Sequence, residues 1–177
     1  MGLLDLIKKM KKTDKDARIL VLGLDNAGKT TILKKLSNEE IKHIQPTQGF
    51  NVKSLVQEGF KLNVWDIGGH MTIRKYWDNY FEATDALVYV VDSADEKRLD
   101  ECREVLQGLL TEPKLASVPF LIFANKQDIV MALSSEEVVA KLKLDTVTGR
   151  AWGIYACSAV TGEGLQEGLE WLLTNLK

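Results

Sequence analysis

Short apolar runs alternate with segments of helical period along the whole chain. Runs at 18–22, 51–57, 61–66, 86–91, 120–124 and 153–157 have the length and composition of β-strands. Those at 86–91 and 120–124 are too continuously apolar to leave one face wet, which predicts central strands covered on both sides. Between the runs, Lys29–Leu36, Leu99–Leu110, Ser135–Leu142 and 165–176 read as amphipathic helices. The third opens on Ser134-Ser135-Glu136-Glu137, a capping-box pattern, and the last aligns Leu165, Leu169, Leu172 and Leu176 on one face. The alternation predicts an α/β domain whose six-stranded, mostly parallel sheet has helices on both faces. Only Glu58-Gly59-Phe60 separate the second and third strands, too few for a crossover helix. That pair is predicted as an antiparallel hairpin with the second strand at a sheet edge.

Residues 1–16 read differently from the domain at 17–177. Leu3, Leu6, Ile7 and Met10 share a helical face beside Lys8, Lys9, Lys11 and Lys12, so residues 2–12 form an amphipathic helix that either touches a membrane peripherally or packs back on the domain. Leu6 stands where the myristoylation pattern needs Ser or Thr, and the last four residues offer no cysteine for prenylation; neither lipid is expected. With 177 residues, 45% of them hydrophobic, the chain can bury a full core, which excludes a disordered protein. Lys and Arg number 23 against 25 Asp and Glu, so no overall field favours nucleic acid. Cys102 and Cys157 lie far apart and the only histidines are His43 and His70, which argues against zinc and a disulfide framework and for a reducing compartment. Apolar runs stop well short of the roughly 20 residues a bilayer span needs. A cytoplasmic monomer that binds no nucleic acid is expected.

Chemistry enters directly after the first strand. Gly23-Leu24-Asp25-Asn26-Ala27-Gly28-Lys29-Thr30 is a complete G-x-x-x-x-G-K-[ST] opening a helix, a match expected by chance in roughly one chain in 200. Such a loop wraps backbone N–H groups around a polyphosphate at a helix N-terminus. Asp25, Asn26, Ala27, Gly28, Lys29, Thr30 and Thr31 form the predicted cradle, with Lys29 on the outer phosphates and Thr30 on Mg²⁺. Asp66 ends the third strand and supplies a carboxylate to the metal shell through water; Gly69 carries an N–H for the terminal phosphate. Thr47, in Pro46-Thr47-Gln48-Gly49, is a third metal ligand available when the last phosphate is present. Asn125-Lys126-Gln127-Asp128 follows the fifth strand, and a carboxylate edge-on to a base accepts from N1–H and the exocyclic amine of guanine, which adenine cannot offer. Ser158 and Ala159 complete that pocket, the Ala159 N–H meeting the guanine carbonyl. The ligands expected are GTP or GDP with Mg²⁺.

From Ala17 onward these segments, in this order, resemble the Ras-superfamily small GTPases, and Gly-Leu-Asp-Asn-Ala-Gly-Lys-Thr at 23–30, Trp65-Asp66-Ile67-Gly68-Gly69 and the aromatics Phe50, Trp65 and Tyr80 resemble the Arf and Arf-like members. The resemblance implies the P-loop NTPase fold of small G proteins. It implies a GTP-dependent switch in which the hairpin 50–65 slides in register, expels the N-terminal helix and exposes Phe50, Trp65 and Tyr80 to an effector. It also implies a GTPase-activating protein (GAP), an exchange factor, and an effector carrying lipidated cargo in a β-sandwich, at the cilium or Golgi. A sibling branch implies tubulin assembly instead. Most relatives have glutamine after Gly69, where this chain has His70, and proline is frequent where it has Lys75. Translational GTPases resemble the chain locally in placing histidine there. With Gly69 and Lys29, His70 is the catalytic candidate, and slow, partner-dependent hydrolysis is expected. The competing readings are an exposed His70 with no catalytic part, a nucleotide-loaded adaptor that scarcely hydrolyses, and a metabolic kinase, for which no acceptor-binding insert is visible.

Overall fold

A computed structural model describes residues 16–36, 50–57 and 60–176. The strands are β1 (Asp16–Gly23), β2 (Phe50–Gln57), β3 (Phe60–Ile67), β4 (Ala86–Asp92), β5 (Phe120–Asn125) and β6 (Trp152–Ala156). The helices are α1 (Lys29–Leu36), α2 (Met71–Arg74), α3 (Leu99–Leu110), α4 (Ser135–Leu142) and α5 (Leu165–Thr174). One six-stranded sheet has the order β2-β3-β1-β4-β5-β6. Only the β2–β3 pair is antiparallel, running from Phe50 opposite Ile67 to Gln57 opposite Phe60, and β2 is an edge as expected. After β3 the chain crosses to the other side of β1 to build β4, so the sheet reverses its winding at β1, the place where open α/β sheets hold ligands at their strand ends.

Period-two alternation divides the core between the two faces. Ile19, Val21, Val88, Val90, Leu121 and Phe123 point to α1 and α5, where Ile32, Leu33, Leu169 and Leu172 meet them. Leu20, Leu22, Leu87, Tyr89, Phe120 and Ile122 point to α3 and α4, against Leu106, Leu109, Val138 and Leu142. The capping box at α4 forms as its sequence predicts: Ser134 Oγ accepts from the Glu137 N–H, and Glu137 returns a carboxylate to the Ser134 N–H.

Several features departed from the periodicity reading. β6 begins and ends one residue earlier than expected, and α5 stops at Thr174 because its last carbonyls turn onto the Asn175 N–H. Short helical turns at Met71–Arg74, Trp77–Tyr80, Glu96–Arg98, Pro113–Leu115 and Leu144–Thr146 are too brief to display a period. The amphipathic segment 2–12 and Thr47 lie outside the described residues.

At the sheet end opposite the glycine loop, Arg150 satisfies three backbone carbonyls: Leu110 at 3.0 Å, Val118 at 3.1 Å, and Leu115. Its guanidinium also lies 4.3 Å over the Phe120 ring. Arg150→Met keeps the apolar stem and leaves those carbonyls without their donor, so it is expected to cost about 2–4 kcal/mol by chemical denaturation. A loss under about 0.5 kcal/mol would show that the carbonyls find other donors.

Candidate nucleotide site

The loop between β1 and α1 is wound by backbone geometry that its glycines permit. Gly23 sits at φ 152° with Val90 O only 2.4 Å from where a Cβ would be, and Gly28 sits at φ 104° against Asn125 Nδ2. Asn26, exposed at the tip, takes φ 65°. Lys29 is the first residue of α1 and is 5% exposed. Its ammonium donates to Gly23 O at 3.2 Å and Leu24 O at 2.9 Å. Burial pushes its pKa down to about 8, and the opposing attraction of Asp66 and Asp25 restores only part of the difference. A phosphate would supply the negative charge that this buried cation lacks.

Behind Lys29, the next residue of the helix meets the next strand. Thr30 Oγ1 donates to Asp66 Oδ2 at 2.5 Å, and Asp66 is fully buried at the end of β3. A hydroxyl and a carboxylate thus converge beside a phosphate loop, a hard-oxygen donor set of the kind Mg²⁺ takes. Thr31 follows in α1, half-buried.

At the other end of the loop, Asn125 ties three segments together. Its Nδ2 donates to Ala27 O at 2.9 Å and its Oδ1 accepts from the Ala159 N–H at 3.0 Å. The Ala159 N–H, expected at the guanine carbonyl, here donates to the Asn125 side chain. Asn125 therefore acts as a brace between loops. Asp128 is exposed at the rim, with Oδ1 accepting from the buried Ser158 hydroxyl at 2.8 Å. Lys126 adopts φ 68°, and its ammonium pairs with Asp92 Oδ2 at 2.9 Å. Asp92 escaped the sequence reading. The available signal was its position at the end of β4, in register with Asn125 of β5.

The segment after β3 closes over the loop. Gly69 is buried so tightly that a Cβ would lie 2.1 Å from Gly23 O and 2.6 Å from Asp25 N. The Gly68 carbonyl accepts from Trp77 Nε1 at 2.9 Å and the Gly69 carbonyl from Arg74 Nε at 2.8 Å. His70 is exposed and caps α2: its Nδ1 accepts from the Thr72 N–H at 3.3 Å and lies 3.0 Å from Thr72 Oγ1. That ring nitrogen is thus occupied by the residue's own helix.

Beside it, Phe50, Trp65 and Tyr80 form the expected cluster, with ring centroids 5.5, 5.7 and 5.8 Å apart. Phe50 remains 49% exposed, and the Arg18 guanidinium lies 4.3 Å over Trp65.

These parts define a P-loop nucleotide-binding protein of the small-GTPase class: glycine loop, buried lysine, threonine–aspartate pair and base-side aspartate all stand at the strand ends where the sheet reverses. The ADP-ribosylation factor family model matches residues 3–176, and the chain belongs to that family. It is 59% identical over 177 residues to ADP-ribosylation factor-like protein 3 of Chlamydomonas reinhardtii, covering all of both chains. It is 55% identical over 179 residues to ADP-ribosylation factor-like protein 3 of Caenorhabditis elegans, covering all of this chain and 97% of that one. Among solved structures, the Arl6 (BBS3) small GTPase of Trypanosoma brucei with the bound nucleotide analogue GppNp superposes with a TM-score of 0.81 at 34% identity, over 89% of this chain and 95% of that one. The fold and family expected from the motifs are thereby established, and with them GTP hydrolysis as the activity class and a GTP-dependent switch as its use.

A charge cluster joins the loop to α3. Arg98 donates to Asp25 Oδ1 at 2.8 Å and to Asp25 O at 3.2 Å, and reaches Glu101 Oε1 at 3.1 Å; Arg74 meets Glu101 Oε2 at 2.5 Å. The Arg98 hydrogen bonds hold both carboxyls below their ordinary values of 3.8 and 4.5, with Arg74 adding to the effect on Glu101. Depressed acids stabilise the fold above those ordinary values and lose that contribution as pH falls through the native ones. The groups are about a third exposed, so Arg98→Met is expected to cost only about 1 kcal/mol near neutrality. Calorimetry should show the gap between variant and wild type shrinking below about pH 4; a constant gap would mean the arginine acts by packing alone.

Proposed function

We propose that this protein is a GTP/GDP switch of the Arf-like type whose GTP form binds an effector and drives the release of lipidated cargo in intracellular, including ciliary, trafficking. The observation that carries the switch reading is the contact of Gly69 with Gly23 and Asp25. A backbone that packs directly on the phosphate loop cannot stay in place indifferently to what the loop holds. Gly69 leads into α2 and the turn ending at Tyr80, which stacks with Trp65 and Phe50, so a change at the phosphate is passed to a partly exposed aromatic surface. Such a surface suits an apolar effector contact, and the β-sandwich cargo carrier is the partner implied by family resemblance. A GAP, an exchange factor and a cytoplasmic location with peripheral membrane contact through residues 2–12 belong to the same reading.

In this reading Lys29 and the loop N–H groups bind the phosphates, and Asp128 reads guanine while Ser158 holds its carboxylate in place. Thr30 and Asp66, with Thr47, would hold Mg²⁺, which when bound neutralises charge on the outer phosphates. His70 takes the position of the water-orienting glutamine. Its Nδ1 is turned to Thr72, which supports slow hydrolysis in isolation and dependence on a partner. The same engagement favours, as a second reading, an adaptor that stays loaded with nucleotide. A switch retains its effector only in the GTP form, whereas an adaptor binds partners alike in both forms.

Two measurements test the proposal. GDP and GTP are expected to bind at least about 10³-fold more tightly than ATP, because a polar pocket built for the guanine donors leaves its acceptors unpaired with adenine. Equal binding of ATP would overturn the guanine assignment. Single-turnover hydrolysis should be faster in His70→Gln than in wild type by about tenfold. An unchanged rate would remove His70 from the explanation of slow turnover.

A further inference from the structure

Glycine sets no orientation for the peptides that flank it, yet one of those peptides carries the amide expected to meet the terminal phosphate. In a planar trans peptide the carbonyl of residue 68 and the N–H of residue 69 point in opposite directions. Whatever holds the Gly68 carbonyl therefore aims the Gly69 N–H. In this structure the holder is the indole N–H of Trp77, 2.9 Å from Gly68 O, and the Trp77 ring is 4% exposed among Leu20, Leu22, Phe81 and their neighbours. The following carbonyl, Gly69 O, is held by Arg74 Nε at 2.8 Å, and Arg74 is itself anchored on Glu101 of α3 at 2.5 Å. Two side chains from the segment 74–77 thus fix the peptides on both sides of Gly69. The glycine itself leaves no room for a Cβ, which would overlap Gly23 O and Asp25 N.

We propose that Trp77 is a positioning residue that aims the Gly69 amide, with Arg74 as its second support, and so sets the preference of the site for a nucleoside triphosphate over a diphosphate. The inference rests on the reading of Gly69 as the amide that meets the terminal phosphate. A phenylalanine in its place would keep an aromatic ring in the core but lose some volume and the N–H. A role confined to packing would affect both nucleotides alike, because a diphosphate has no group to reach Gly69.

The test compares affinities for GDP and a non-hydrolysable GTP analogue, with Mg²⁺, in wild type, Trp77→Phe and Arg74→Gln. Trp77→Phe is expected to weaken the GTP analogue about tenfold while GDP stays within about twofold, as loss of one buried hydrogen bond implies. Arg74→Gln should show the same split at smaller size, and it keeps the test available if the phenylalanine variant folds poorly. The amide resonance of Gly69 should shift on exchanging GDP for the analogue in wild type and shift less in Trp77→Phe. Equal weakening of both nucleotides, or of neither, in both variants overturns the proposal. The wild-type amide resonance separates the two layers: if it does not shift on exchanging GDP for the analogue, the reading of Gly69 fails, whereas a shift there with an unchanged GTP-to-GDP ratio in Trp77→Phe defeats the Trp77 proposal alone.

Discussion

A buried ammonium group organises the site. Lys29 is held in the first turn of α1 by the carbonyls of Gly23 and Leu24, and burial has moved its pKa to about 8 against the pull of Asp66 and Asp25. A cation in such a place is costly unless charge of opposite sign comes to it. The loop must curl tightly enough to offer its carbonyls, which is why Gly23 and Gly28 take backbone angles that side chains resist. Asp66 must be buried at the end of β3, which places β3 beside β1. The parallel β3–β1–β4 arrangement and the glycine loop both serve this one electrostatic requirement.

The same loop is gripped from three further sides. Asn125 braces Ala27 from the base end, Arg98 holds Asp25 from the α3 end, and Gly69 lies against Gly23 from the segment after β3. Each grip comes from a different stretch of chain, and each joins the phosphate region to something beyond it: the base pocket, the charge cluster, the aromatic surface. A change of ligand at the loop therefore has routes outward that are made of short hydrogen bonds and close backbone contact. The aromatic trio is the most distant of these, and its partial exposure leaves room for a partner.

His70 shows how a local preference can compete with a chemical role. A side chain with an acceptor nitrogen preceding a helical turn finds an unsatisfied N–H two residues on, and here Thr72 provides it. Glutamine at that position, by contrast, has a longer and freer side chain to extend over a nucleotide. The capping bond thus gives the proposed slow hydrolysis a physical basis that the identity of the residue alone does not.

The strands, the hairpin, the α4 cap and the phosphate loop were determined by sequence because each is written in neighbouring residues: alternation, a link too short for a crossover, Ser134 with Glu137, glycines before a lysine. Lys29, Thr30, Asp66 and Asp128 were identifiable because their spacing to a strand end is short and their chemistry is specific. Tertiary structure alone decided the rest. Asp92 becomes a partner of Lys126 only when β4 and β5 align, Arg98 meets Asp25 only when α3 packs beside the loop, and Trp77 meets Gly68 only when the chain after β3 folds back on itself. The Ala159 N–H meets Asn125 on the same terms, since that acceptor is contributed by a residue 34 positions away. Local periodicity carries the elements; directional bonds between elements exist only after the sheet has brought their ends together.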